Sequence, residues 1–501
     1  MRTVLSGAAL AATVLAPWGL AAGATPPAWF GYAGNAQHTA PAPAAAQNLT
    51  KILWSTPVDL DPQYDGDALL IHYASPMITG HNTVLIAVKT GATGGWQMEG
   101  HAGTTGTRIW TATSDYVLPP SSGWTPSYPA ALSKKERLFF AGAGGTVLYR
   151  DTPDKATGAS GRLAFYGLAN WTANEAALTN SVMVDTPITS DARGDIYFGF
   201  VVTGSNPLNL VSGIARIGVG GKMKWVSATA AAGDSGITQV AMNCAPAVSA
   251  DGKSIYITVS NGSAGDLLKL NADTLKTEAK VALTDPSSGE PAWVTDLSTA
   301  SPTIGPDGDV YYGVLENPFP DHDDRGWLLH FDATLATLKT PGSFGWDDTV
   351  SVVPASLIPS YSGGSAYLLM TKYNNYEGIG PLGDGMNKIA ILDPDNTQQD
   401  EYSTTPVRVM KEVQTQLGPT ASPEGGVYEW CINSAAVDSH TGAVFAGSED
   451  GHMYRWNLTA NSLSQALMLN APTPEAYTPS LVGPDGTVYS INNATLYALG
   501  N

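Results

Sequence analysis

One short phrase recurs along this chain and limits what it can fold into. "SPTIGPDGDVYYG", from Ser301, returns as "TPSLVGPDGTVYS" from Thr478. Weaker relatives are "HYASPMITGHNTVLIAV" from His72, "SYPAALSKKERLFFAG" from Ser127 and "DTPITSDARGDIYFGF" from Asp185. Others are "CAPAVSADGKSIYITV" from Cys244, "SVVPASLIPSYSGGSAYLLM" from Ser351 and "CINSAAVDSHTGAVFAG" from Cys431. The spacing, about 45 to 80 residues, is close to that of propeller blades. In the clearest copies a small-Pro-small start opens a short strand. A "PDG" or "ADG" turn follows, where glycine tolerates positive φ, and then an alternating strand with aromatics.

Several copies continue into a third strand, as in "LLKLNADT", "WLLHFDAT" and "HMYRWNLT". Fourth strands are clearest in "KMKWVSA" and "TRIWTAT". A lone four-stranded sheet cannot bury both faces, whereas sheets arranged radially cover one another. The pattern predicts an all-β, eight-bladed propeller of four-stranded antiparallel blades. The last copy has room for three strands before "TLYALGN", and "KILWSTPV" (Lys51 to Val58) is a fourth-strand pattern with no blade before it. The N-terminal strand is therefore expected to complete the last blade.

"SPTIGPDGDVYYG…WLLHFDAT" resembles the PQQ-like β-propeller repeat, and "WFGYAGNAQHTA", from Trp29, resembles the lead-in many such proteins carry. The resemblance spans essentially the whole mature chain. It implies the fold but not the function, because the superfamily holds quinoprotein dehydrogenases, outer-membrane assembly lipoproteins and other exported proteins. The cofactor enzymes stack a tricarboxylate quinone on a disulfide between adjacent cysteines, beside Ca²⁺. This chain has no adjacent cysteines, few basic residues and no C-x-x-C-H haem motif. No cofactor is expected, and PQQ with calcium is disfavoured.

Acidic residues outnumber basic ones, 44 to 25, for a net charge of −19. Such a surface repels phosphate backbones, which argues against nucleic acid as partner. Arg2, the apolar run Val4 to Leu15 and "AAGA" ending at Ala24 read as a secretory signal, residues 1–24, ahead of the propeller, 25–501. No later segment has the apolar length of a membrane helix. A monomer, periplasmic or extracellular, is expected. Cys244 and Cys431, just before the innermost strands of blades four and seven, allow a disulfide only if their connections lean over the channel mouth. Two buried thiols are the alternative.

The turns between first and second strands are short, while long loops and blade connections fall on the opposite face, the expected binding face. Residues just before the innermost strands ring that mouth: His72, Tyr73, Tyr128, Asp185, Asn243, Asp296, Trp430, Asn433 and Tyr477. Aromatic and amide groups suit a carbohydrate, peptide or protein ligand; plugging the channel is their alternative role. "PDHDDRG", with Asp321, Asp323 and Asp324 as weak metal candidates, is read as a solvated acidic loop, because consecutive side chains cannot all face one ion. "DPQYDGD" and "DPDNTQQDE" are read likewise. "GDSGI", from Gly233, echoes a protease phrase without its partners and is read as a connection. The expected function is non-catalytic binding or scaffolding, the alternative an enzyme on the same scaffold acting on a polysaccharide or small polar substrate.

Overall fold

The computed structural model describes residues 29–121, 123–475 and 479–501. The proposed signal segment and Tyr477 lie outside the described residues.

Blade four shows how the repeat becomes structure. Ala247–Val248, Ser254–Ser260, Gly265–Asn271 and Thr277–Ala282 pair antiparallel in that order. Gly252 makes the first turn at φ 68°. Every residue of Ser254–Ser260 is buried, because neighbouring blades cover both faces of this strand. Thr277–Ala282 alternates between half-buried and exposed, as an outer strand with one wet face should. Seven further sheets complete an eight-bladed propeller. Lys51–Pro57 forms the outer strand of the last blade, running from Lys51 opposite Gly500 to Pro57 opposite Thr495 with a bulge at Leu53.

Blade five departs from the pattern. It has three regular strands, Thr303–Ile304, Val310–Val314 and Trp327–Phe331. Isolated bridges from Leu328 to Gly342 and from Phe331 to Leu338 stand in for the fourth. The uncovered flank is closed by blade six, whose outer strands Lys388–Gln399 and Arg408–Leu417 carry a bulged hairpin. Met410 N donates to Pro341 O (2.7 Å), and Val407 and Val409 pack in the apolar cluster that holds Trp327, Leu329 and Phe331.

Residues 29–47 form a strap beneath the ring. Trp29 exchanges backbone hydrogen bonds with Ile78 in blade one. Phe30 O accepts from Leu132 N, Ala36 O from Val248 N, Gln37 O from Ile304 N and Thr39 O from Val352 N. Ala40 and Ala42 bond to Val437, and Gln47 N donates to Gly486 O in the last blade. The strap thus satisfies edge groups at the hairpin-turn ends of the innermost strands. Tyr32 is buried at the inner edge of blades five and six, donating to Thr299 O (2.7 Å) and lying 2.8 Å from Thr349 Oγ1. His38 Nδ1 is 2.7 Å from Pro302 O, and burial lowers its pKa to about 4, so the ring is neutral at pH 7.

Candidate functional site

With the strap across the turn side, access to the channel is from the other face. Antiparallel connectivity places the starts of the innermost strands there. The loops of residues 203–212, 315–326 and 374–387 share that end.

Most of the ring residues expected at this mouth are structural. Tyr73 OH donates to Glu475 Oε2 (2.8 Å) and accepts from Ala494 N. Tyr128 OH donates to Ala141 O, and its ring stacks on Trp96 at 4.8 Å. Trp430 is held at both backbone groups by the Asn374 amide, and Asn433 O accepts from Thr349 N. Buried His72 packs on Trp124, and burial lowers its pKa to about 3. Asn243, at φ 61°, spans the mouth: Oδ1 accepts from Ser127 N of blade two, and Nδ2 donates to Asp296 O and Ser298 O ahead of blade five.

Asp185 and Asp296 differ from these. Both line a cleft of about 390 Å³ with Val201, Thr203, Gln239, Met242 and Ser260. Asp185 is 4 % exposed, and its Oδ1 has no hydrogen-bond partner. Burial raises this carboxyl well above the usual range, which disfavours its charged form.

A second feature has no counterpart in the sequence reading. Lys372, in the strand Tyr367–Tyr373 of blade six, is buried with its Nζ 4.0 Å from Asp347 Oδ2. Asp347 also accepts from Thr299 N (2.8 Å), and Asp348 Oδ2 accepts from Thr371 Oγ1. Burial raises Asp347 and Asp348 to about 7, and Asp324 and Glu475 to about 8. Glu429 and Glu449, half-buried at the rim, are raised for the same reason. The Lys372 charge acts in the opposite direction on Asp324, Asp347, Asp348, Glu429 and Glu449. Carboxyl groups from blades five to seven therefore lie in the field of one ammonium. Each comes from an ordinary position before or within a strand, and only ring closure brings them together.

The acidic loop of blade five is not solvated, contrary to the sequence reading. His322 and Asp323 are buried, and Asp321 alone among 321–324 is exposed. Asp323 Oδ1 accepts from Leu382 N of the neighbouring loop, while the Asp324 backbone N–H donates to Glu316. These carboxylates diverge and share no ion site. In "DPDNTQQDE", Asp393 is likewise buried and accepts from Tyr361 OH. His322 stacks on Trp327 at 3.8 Å and meets Asp400 Oδ2 through Nε2 at 3.1 Å. Ser343 Oγ donates to Asp400 Oδ1. Serine, histidine and aspartate thus meet, but all three are buried and both partners turn to the carboxylate. Ser343 Oγ also lies 3.4 Å from His322 Nε2, but both imidazole nitrogens already face oxygens, Gly326 O and Asp400 Oδ2. Neither is free to take the serine proton, and the trio fastens the blade-six hairpin to blade five.

Cys244 and Cys431 form no disulfide. Both are buried thiols; Cys431 Sγ donates to Glu475 O, and Cys244 lies beside Thr258 and Tyr312. The connections preceding blades four and seven do not bring them together. "GDSGI" follows a short helix, Ala228–Ala232, ended by Gly233 in the left-handed conformation.

No family model and no curated protein sequence matches the chain. Among solved structures it is similar to a europium-containing methanol dehydrogenase, with TM-score 0.56 and 9 % identity over 93 % of this chain and 89 % of that one. A quinohemoprotein alcohol dehydrogenase from Comamonas testosteroni gives TM-score 0.53 and 11 % identity over 95 % and 81 % of the two chains. BamB from Moraxella catarrhalis gives 0.48 and 9 % over 90 % and 99 %. At such identities the likeness is one of fold: the chain has the propeller architecture of PQQ-like proteins. The mouth does not fit a tricarboxylate quinone. Lys372 stands among carboxyl groups, and the Arg325 guanidinium is taken up by the Ser343 and Asn374 carbonyls. The two cysteines are also in different blades.

Proposed function

We propose that the chain is an exported, non-catalytic binding propeller whose loop-rich mouth takes a cationic polypeptide segment. The observation that carries this reading is the buried Asp185 carboxyl, which lines the cleft and whose Oδ1 has no hydrogen-bond partner. A lysine or arginine head placed there supplies the missing donor and the counter-charge, which favours the charged form as a charge-assisted acceptor. Asp296 at the cleft adds a second acid, and Glu429 and Glu449 at the rim, raised by burial, would be drawn toward ionisation by an incoming cation.

The test is a binding screen of the mature chain against arrays of basic peptides, acidic peptides and neutral oligosaccharides. Selective, salt-sensitive capture of basic peptides, weakened at least about tenfold by Asp185→Asn, is expected. Equal capture of all three classes, or oligosaccharide binding alone, refutes the cationic-segment reading. Turnover of a polysaccharide would overturn the non-catalytic one.

A further inference from the structure

On the turn side, away from the mouth, three unlike donors converge at the seam between blades one and two. His81 lies in the first turn of blade one, between Met77–Ile78 and Thr83–Gly91. Glu136 lies in the corresponding turn of blade two, between Ala130–Leu132 and Leu138–Ala141. Asp154 comes from the next loop of blade two on the same side, between Val147–Arg150 and Ser160–Leu163. One ligand atom from each lies within 4.8 Å of the others.

We infer that His81, Glu136 and Asp154 form a divalent transition-metal site, best suited to Zn²⁺, that ties blade one to blade two. Metal–nitrogen and metal–oxygen distances of about 2.0–2.2 Å separate ligands on one tetrahedral ion by about 3.5 Å. Closing the observed triangle needs side-chain movement of the order of an ångström. One imidazole and two carboxylates suit zinc and similar ions, while an all-oxygen set would be expected for calcium. Three protein ligands leave a fourth position for water or another donor.

Backbone and hydroxyl donors hold the carboxylates in place, and the two acids also hydrogen-bond to each other. Thr79 Oγ1 donates to Asp154 Oδ1, and Gly80 N donates to Glu136 Oε1 (3.2 Å). Thr79 is buried, so its hydroxyl is a fixed outer support of the kind that orients metal ligands. Nearby cations are engaged elsewhere: Arg137 pairs with Asp151, and Arg150 donates to Lys155 O and Ala156 O. Among the described residues, neither Glu136 nor Asp154 has a lysine or arginine within ion-pair distance. Two carboxylates and an imidazole are thus gathered with no side-chain cation between the acids. His81 is exposed and leaves a path for the ion from solvent.

The test is titration of the metal-free full chain with Co²⁺, whose visible absorption reports coordination geometry, followed by displacement with Zn²⁺. One saturable site per chain, displaced by Zn²⁺, is expected, with a higher melting temperature in the loaded protein. His81→Ala changes an exposed side chain and should fold normally while losing at least about 100-fold in affinity. Thr79→Val, which removes only the outer support, should weaken binding by about 10–100-fold. Absence of a saturable site overturns the inference. So does a site whose affinity is unchanged in both His81→Ala and Glu136→Gln.

Discussion

Lys372 Nζ stands 4.0 Å from Asp347 Oδ2, with both side chains almost wholly removed from water. This ammonium is set among carboxyl groups that burial has pushed toward neutrality, and its removal would leave them without an offset. Lys372→Met is expected to cost about 3–5 kcal/mol near pH 8, where the carboxyls would otherwise ionise, and less near about pH 5. Denaturant unfolding at the two pH values measures this. An equal loss at both would mean that packing, not charge, is Lys372's contribution.

The same groups set the pH dependence of the wild-type fold. The native carboxyls titrate at about 7 for Asp347 and Asp348, and about 8 for Asp324 and Glu475. In an unfolded chain they titrate near about 4. The native state therefore holds more protons between these limits. The associated stability is complete below about pH 4 and is lost as pH rises through 7 to 8. The melting temperature is expected to be about 5 °C higher near pH 5.5 than near pH 8.5. A flat or rising profile over that range would contradict protonated carboxyls at the mouth.

Asp185→Asn separates stability from binding. It replaces a buried, incompletely bonded acid by a neutral amide, so stability should stay level or rise by about 1–2 kcal/mol. Affinity for a basic segment should fall. Thermal melts and peptide titrations on the one variant check both, and a destabilised protein would show that the carboxyl is needed for the fold.

Asp400→Ala deprives His322 and Ser343 of a shared acceptor and frees the blade-six hairpin from blade five. A loss of about 3 kcal/mol is expected, since two buried donors lose their partner. Proteolysis should begin within residues 397–410. Cleavage elsewhere, with the hairpin intact, would place the fastening in the Val407 and Val409 packing.

The blades and their closure were legible because most copies carry their own evidence, a turn glycine and an alternating strand, and because "KILWSTPV" is a spare outer strand. Asp185 and Asp296 were reachable for the same reason, being placed by the start of an innermost strand. Tyr73 and Tyr128 occupy equivalent positions but turn inward to a carboxylate and a carbonyl, a choice of rotamer that position does not reveal. The charged throat was hidden because Lys372 looks like any residue of an alternating strand, and Asp347 and Glu429 like any loop acid. The strap was hidden too. Its bonds go to other strands' edges, so residues 29–47 have no period of their own.

The strap also dictates when this molecule can be finished. Trp29 to Gln47 emerge from the ribosome long before Gly486, the last of their partners, exists. Blades can condense one after another as they are made, but the segment that girdles them has its full set of partners only once the final blade arrives. Maturation is therefore a late, long-range event, slow by the standards of local hairpins. A chain stopped before its last blade would keep its early sectors and leave the ring open.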